Sequence, residues 1–275
     1  MQSKRPATKY AFAVMAAVTA ALFGRSWLQM RLLEDGLQRE YAADLSYLVF
    51  PPIFLLLALP VFYEDRAFLV RQFRPRDLSL SMIWRALAIG FLVRILWWAA
   101  LVAGIAFGVY QNENPRAVVG PLFSFQCPPA NVMVLGFLVM AVLVPTFEEL
   151  SHRAYVQSAM RHHGPFIAIA ASAGIFAVFH PPSSWLFTFF AGVIFGIQYW
   201  NSGTLWPSLI THATVNGLIQ IDWRCLHGIW NPPVSELPLW RTGIVATSIL
   251  LFASISIFIL TVKSGECRDA STPRH

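Results

Sequence analysis

Six side chains in the middle third of the sequence have the types and spacing of a polar, hydrolytic pocket: Glu148, Glu149, Arg153, His180, His212 and Asn216. Glu149 and Arg153 stand four apart with the acid nearer the N-terminus, the better orientation for an ion pair on a helix. Glu148 lies about 100° around the same helix from Glu149, so it points elsewhere and is left for chemistry. Adjacent carboxylates and an arginine here continue an apolar run that begins near Val132. Left unpaired in a bilayer, the three charges would cost on the order of 8–10 kcal/mol, so they must face partners or a water-filled cavity. The competing reading ends the helix at Phe147 and leaves all three at the interface.

Two hairpins bring the histidines to matching depth. With Gly164-Pro165 as a turn, Glu148 is about sixteen residues back and His180 about sixteen forward. At ~1.5 Å per residue both sit roughly 24 Å from the turn on antiparallel neighbours. His162 and His163, at the turn itself, read as solvated. Asn201-Ser202-Gly203 makes the second turn, and His212 falls about nine residues into the next run, with Asn216 one helical turn later on the same face. A lone buried histidine is usually a satisfied core residue. Six polar groups at compatible depths on successive helices are harder to explain that way.

The elements that must hold these groups are membrane helices. Of 275 residues, 56% are hydrophobic and 12% charged, with a mean hydropathy of +0.56, which argues against a soluble helical domain. Apolar runs occupy Tyr10–Phe23, Leu45–Phe62, Ile83–Tyr110, Val132–Phe147 and beyond, Phe166–His180, Trp185–Trp200, Thr204–Ile221 and Trp240–Val262. The expected fold is an all-α integral membrane protein of about eight transmembrane helices. The first run, short and preceded by Lys4, Arg5 and Lys9, reads as a retained helix in preference to a signal peptide, since no clean cleavage site follows. Arg85 and Arg94 interrupt the third run. One reading starts that span after a snorkelling Arg94; another counts Arg94 among intramembrane charges.

The net charge of +6 is a topology signal and no nucleic-acid footprint. Basic residues gather before the first run, at Arg66, Arg71, Arg74 and Arg76, at Arg161, and at Lys263, Arg268 and Arg274. The loops Gln111–Asn131 and Asp222–Leu239 hold one arginine each, and Gly24–Asp44 is a mixed loop. By the positive-inside rule both termini are cytoplasmic, which requires an even number of spans. Cys127 and Cys225 then share the non-cytoplasmic side, where a disulfide or two unpaired thiols are equally open. Proline pairs such as Pro51-Pro52 and Pro181-Pro182 mark breaks, and no repeat or linker divides the chain. Residues 1–275 read as one membrane domain with a catalytic core at 131–221 and a polar, disordered tail at 263–275.

The motifs Glu148-Glu149-x-x-x-Arg153, Phe176-x-x-x-His180 and His212-x-x-x-Asn216 resemble, in order, those of the CPBP superfamily, the type II CAAX prenyl endopeptidase-like or Abi proteins. Ala154 stands where the family usually has glycine, and Ser151-His152 where it is usually apolar. The resemblance implies an intramembrane endopeptidase acting on a membrane-associated protein or peptide within the lipid bilayer, in a bacterial plasma membrane. It implies that Glu148 and His180 activate water, that His212 and Asn216 hold the oxyanion, and that Glu149 and Arg153 support them. Glu148, His180 and His212 could also bind Zn2+, yet a metal-free glutamate mechanism suits the spacing equally. The alternative is a non-catalytic membrane binding or immunity protein, or a transporter, using the same polar cavity.

Overall fold

A computed structural model describes residues 8–110, 129–220 and 239–269, and every regular element among them is helical. In chain order these are α1 (Thr8–Glu34), α2 (Arg39–Ser46), α3 (Phe50–Glu64), α4 (Arg66–Gln72), α5 (Leu80–Tyr110), α6 (Ala130–Gln157), α7 (Pro165–Val178), α8 (Trp185–Ser202), α9 (Trp206–Gln220) and α10 (Leu239–Asp269). Five segments are long and apolar enough to cross a membrane: Thr8–Glu34, Tyr41–Glu64, Leu80–Gly104, Ala130–Gln157 and Gly243–Thr261. Only 22–39% of each span is buried inside the protein. The remaining faces carry side chains such as Leu56, Phe252 and Phe258, whose exposure suits lipid and not water. The chain is an all-α, multi-span integral membrane protein.

Among the described residues the count is five candidate spans, not eight. Helices α7 and α9 have 14 and 15 residues, about 21 and 23 Å of rise, short of the ~30 Å hydrocarbon core. Helix α8 has 18 residues but ends in the polar Gln198, Asn201 and Ser202. These three shorter helices carry much of the buried polar content: Ser172, Thr188, Gln198, Ser208, Thr211 and His212.

Helices also run where breaks were expected. Helix α1 continues through Gly24 to Glu34, so most of the expected Gly24–Asp44 loop is helical, completed by α2. Arginine, leucine, glutamine and methionine propagate a helix well even where hydropathy falls, and Gly24 lies under Ile53 of α3, a helix contact. Pro51 and Pro52 occupy the first turn of α3, where the missing N–H groups have no intrahelical acceptor to lose. Helix α5 passes through both Arg85 and Arg94 without a break. The Arg94 guanidinium carbon lies 5.9 Å from the Trp98 ring centroid.

Helix α6 does not end at Phe147. It contains Pro145, whose ring would clash with the carbonyl four residues back in a regular helix. The preceding turn, Val139–Leu143, is π-helical and wider, which relieves that clash. A second π-helical stretch, Leu150–Gln157, follows the two glutamates and is wholly buried.

Packing relies on small residues, as expected where lipid removes the hydrophobic drive between helices. Val14, Ala17, Val18 and Ala21 of α1 meet Phe50, Phe54 and Ala58 of α3 and Ala154 and Tyr155 of α6. A Cβ on Gly192 of α8 would sit 3.1 Å from Ala173 of α7, and one on Gly90 of α5 would sit 2.8 Å from the Thr211 carbonyl of α9. These close crossings press α7, α8 and α9 around the end of α6. Cys127 and Cys225 lie outside the described residues.

Candidate active site

The site grows from the α6 register. Glu149 and Arg153 are fully buried, with Arg153 Nε 3.3 Å from Glu149 Oε2. Arg153 Nη1 donates to Ser172 Oγ of α7 at 2.7 Å, and Ser172 donates onward to the His152 carbonyl at 2.9 Å. The guanidinium also lies over the rings of Phe176 and Phe195, 5.2 and 5.9 Å from their centroids. Arg153 therefore ties α6 to α7 and α8 while neutralising Glu149.

His212 of α9 joins the two glutamates. Its Nδ1 is 3.0 Å from Glu149 Oε1 and its Nε2 is 3.5 Å from Glu148 Oε2. Phe195 stacks on the imidazole at 4.7 Å, and Phe176 meets it edge-on at 5.6 Å. A carboxylate oxygen only accepts, so the Nδ1–H of His212 is donated to Glu149. The 3.5 Å contact with Glu148 is too long for a hydrogen bond and leaves Glu148 Oε2 without one. Arg153 balances the charge of Glu149, the condition under which a buried pair is tolerated.

Glu148 points away from the Glu149–Arg153 pair, as the helical angle requires, and its side chain keeps 23% exposure. It borders a cavity of about 210 Å³ that His180, His152 and Ser151 also line. His180 follows the end of α7, just before Pro181-Pro182 stop the chain from continuing as helix. Its Nδ1 lies 2.9 Å from the Phe176 carbonyl. The Nδ1–H is thereby used, and Nε2 carries the lone pair. The Trp185 indole donates to the His180 carbonyl at 2.8 Å, holding the turn.

The structure thus brings Glu148, Glu149, Arg153, His180 and His212 together, with Phe176 between the rings. Asn216 lies one turn beyond His212 on α9 and is half-buried. Neither His212 nor Asn216 is among the residues lining the cavity. Sequence reasoning missed Ser172, a single hydroxyl in an apolar run, and Arg25 and Tyr47, which line the cavity from outside the motif block. It also left His152 without a role. That ring is buried, its Nδ1 lies 2.9 Å from the Glu148 carbonyl, and it meets Phe176 and Phe179 edge-on.

Among the described residues no three histidine, cysteine or carboxylate side chains converge as a ligand set. Both nitrogens of His212 face glutamates, and the Nδ1 of His180 is bonded to a carbonyl. His180 keeps Nε2 open while its Nδ1–H is held by a carbonyl, as in histidines that ligate through one nitrogen, whereas His212 has a glutamate at each nitrogen.

No curated protein and no solved structure matches the chain. Residues 129–218 match the family model of type II CAAX prenyl endopeptidase Rce1-like proteins. The matched segment covers α6 to α9 and holds Glu148, Glu149, Arg153, His180, His212 and Asn216. A CAAX-protease domain of the Rce1-like, CPBP superfamily therefore occupies this part of the chain.

Proposed function

We propose that this protein is an intramembrane endopeptidase that hydrolyses a peptide bond of a membrane-associated protein or peptide, in a bacterial plasma membrane, with residues 131–221 as its catalytic core. The observation that carries the reading is the buried Glu148–His212–Glu149–Arg153 cluster opening, through Glu148, onto a cavity that His180 shares.

Glu148 takes a proton from water in the cavity, and His180 accepts the water's second hydrogen through Nε2, which orients the attacking oxygen. The oxygen adds to the peptide carbonyl, and negative charge develops on the carbonyl oxygen. His212 and Asn216 donate to that oxygen, a contribution of about 3 kcal/mol for a well-placed donor. At 3.5 Å His212 Nε2 makes no hydrogen bond to Glu148, so with both ring nitrogens protonated its N–H is available to an oxyanion placed beside the carboxylate. Glu148 then returns its proton to the leaving nitrogen as the C–N bond breaks. Glu149 fixes the His212 ring through Nδ1, and Arg153 holds Glu149.

Glu148→Gln and His180→Ala are expected to abolish cleavage while the protein still inserts and folds. Normal turnover by either purified variant would overturn the assignment. A binding or transport role would instead leave substrate intact with the wild type as well.

A further inference from the structure

His152 is a cavity-lining imidazole to which the chemistry above gives no role. It follows Glu148 by four residues on α6 and lines the same cavity as Glu148 and His180, with only 2% of it exposed. Its Nδ1 lies 2.9 Å from the Glu148 carbonyl and 3.1 Å from Ser151 Oγ. A carbonyl only accepts, so the Nδ1–H is donated there. A second proton, on Nε2, would add a buried cation next to Arg153, whose charge Glu149 already balances. Nε2 therefore presents a lone pair, and among the described residues it has no hydrogen-bond partner.

Packing does not account for this residue type. The ring meets Phe176 and Phe179 edge-on at 5.3 and 5.9 Å, contacts that a phenylalanine would also make without burying an unpaired acceptor. Such an acceptor in a native protein calls for a partner that comes and goes. Counting hydrogens says what the partner is. The attacking water has two, and Glu148 and His180 Nε2 take both. His152 Nε2 is a third acceptor on the same cavity, and the donor that every non-proline peptide bond brings is its own N–H. Nε2 is closed to solvent, as Glu148 Oε2 is, so both atoms await donors that arrive with the reactants.

We infer that His152 is a catalytic residue on the leaving-group side: its Nε2 accepts the N–H of the peptide bond being cut. This rests on the hydrolase reading and deepens it. In the planar amide the nitrogen lone pair is delocalised into the carbonyl. Once water has added, the nitrogen has one N–H and a free lone pair that point in different directions. An acceptor that holds the N–H leaves the lone pair turned toward the proton Glu148 took from water. Glu148 transfers that proton to nitrogen, the C–N electron pair goes to nitrogen, and the oxyanion re-forms a carbonyl. A carboxylic acid and an amine result, with His152 still accepting one amine hydrogen and itself neither gaining nor losing a proton. An ester gives His152 nothing to hold.

The test uses an N-terminally labelled peptide of alanine, valine and leucine, offered to the full-length protein in zwitterionic liposomes. Mass spectrometry of the wild-type products locates the bond cut, and a second peptide carries an ester in place of that amide. The readout is the ratio of kcat/KM for amide over ester, which does not depend on how much of each variant is active. His152→Phe should lower the ratio about 10-fold, the worth of one hydrogen bond, with His152→Leu standing in if the phenylalanine variant does not insert. His152→Gln, whose amide oxygen accepts, should restore part of it. A ratio unchanged in the apolar variants, even where both rates fall together, would overturn the assignment and make His152 a structural residue. If the wild type cuts neither peptide, the hydrolase reading fails and binding decides the rest. Depsipeptides with one ester at each position in turn are then titrated by fluorescence. A position whose ester weakens binding about 10-fold to the wild type and not to His152→Phe upholds the acceptor. No such position overturns it.

Discussion

Arg153→Met removes one half of an ion pair whose two side chains are both fully buried. Methionine is nearly as long and apolar, so the packing against Phe176 and Phe195 is largely kept while the charge is lost. What remains is a buried Glu149 with His212 as its partner and Ser172 without the donor it accepts at 2.7 Å. Breaking a buried pair from one side costs about 3–5 kcal/mol, because the surviving charge keeps its desolvation penalty. Glu149→Gln should cost a similar amount from the other side. The double variant leaves no uncompensated charge, so its loss should fall short of the sum by about 2 kcal/mol, within the range measured for coupled neighbours. Equilibrium unfolding of all four forms in mixed detergent micelles gives the cycle directly. A loss below about 1 kcal/mol for Arg153→Met, or strict additivity, would refute the view that this pair organises the site.

Three further outcomes are expected. Gly90→Ala should destabilise the protein by about 1–3 kcal/mol, since its methyl would meet the Thr211 carbonyl and Thr214 at 2.7–2.8 Å where α5 crosses α9; an unchanged unfolding midpoint would show that the crossing relaxes freely. Single cysteines introduced near Lys9 and near Arg268 should both label from the cytoplasmic side, following the basic residues at each end. With five full spans this requires an odd number of α7, α8 and α9 to cross, and labelling from opposite sides would contradict it. Chelation of divalent metal should leave the hydrolytic rate unchanged, because both nitrogens of His212 face glutamates and His180 Nε2 is the one open histidine nitrogen of the three proposed ligands; a rate lost on chelation and regained with zinc would overturn that reading.

Much of the site is legible in the sequence because helical periodicity converts spacing into direction. The four-residue step from Glu149 to Arg153 yields the ion pair, and the 100° step gives Glu148 its separate outlook. The two turns are legible for a conformational reason: Gly164 and Gly203 take φ of 90° and 71°, where a side chain is strained. Spacing also places His212 at the right depth. Its grip on both glutamates is not readable, since tertiary contacts decide which face of α9 meets α6.

Span counting fails where hydropathy stands in for length. Helices α7 to α9 are apolar but short, and α7 and α8 keep exposed side chains such as Phe166, Val178 and Leu186. Arg25 is hidden by the same proxy, which places a charge after glycine in a loop when the backbone continues as helix for nine more residues to Glu34. Ser172 gives no signal at all. One hydroxyl in an apolar helix becomes a hub only when Arg153 and the widened π-helical turn of α6 arrive beside it.

The most direct test is comparative proteomics of membranes that contain equal amounts of inserted wild type or Glu148→Gln. If Glu148 is the base of an intramembrane endopeptidase, a membrane-associated protein or peptide will accumulate uncut only with the variant, and its shortened product will appear only with the wild type. Identical sets of membrane peptides in the two preparations would contradict it.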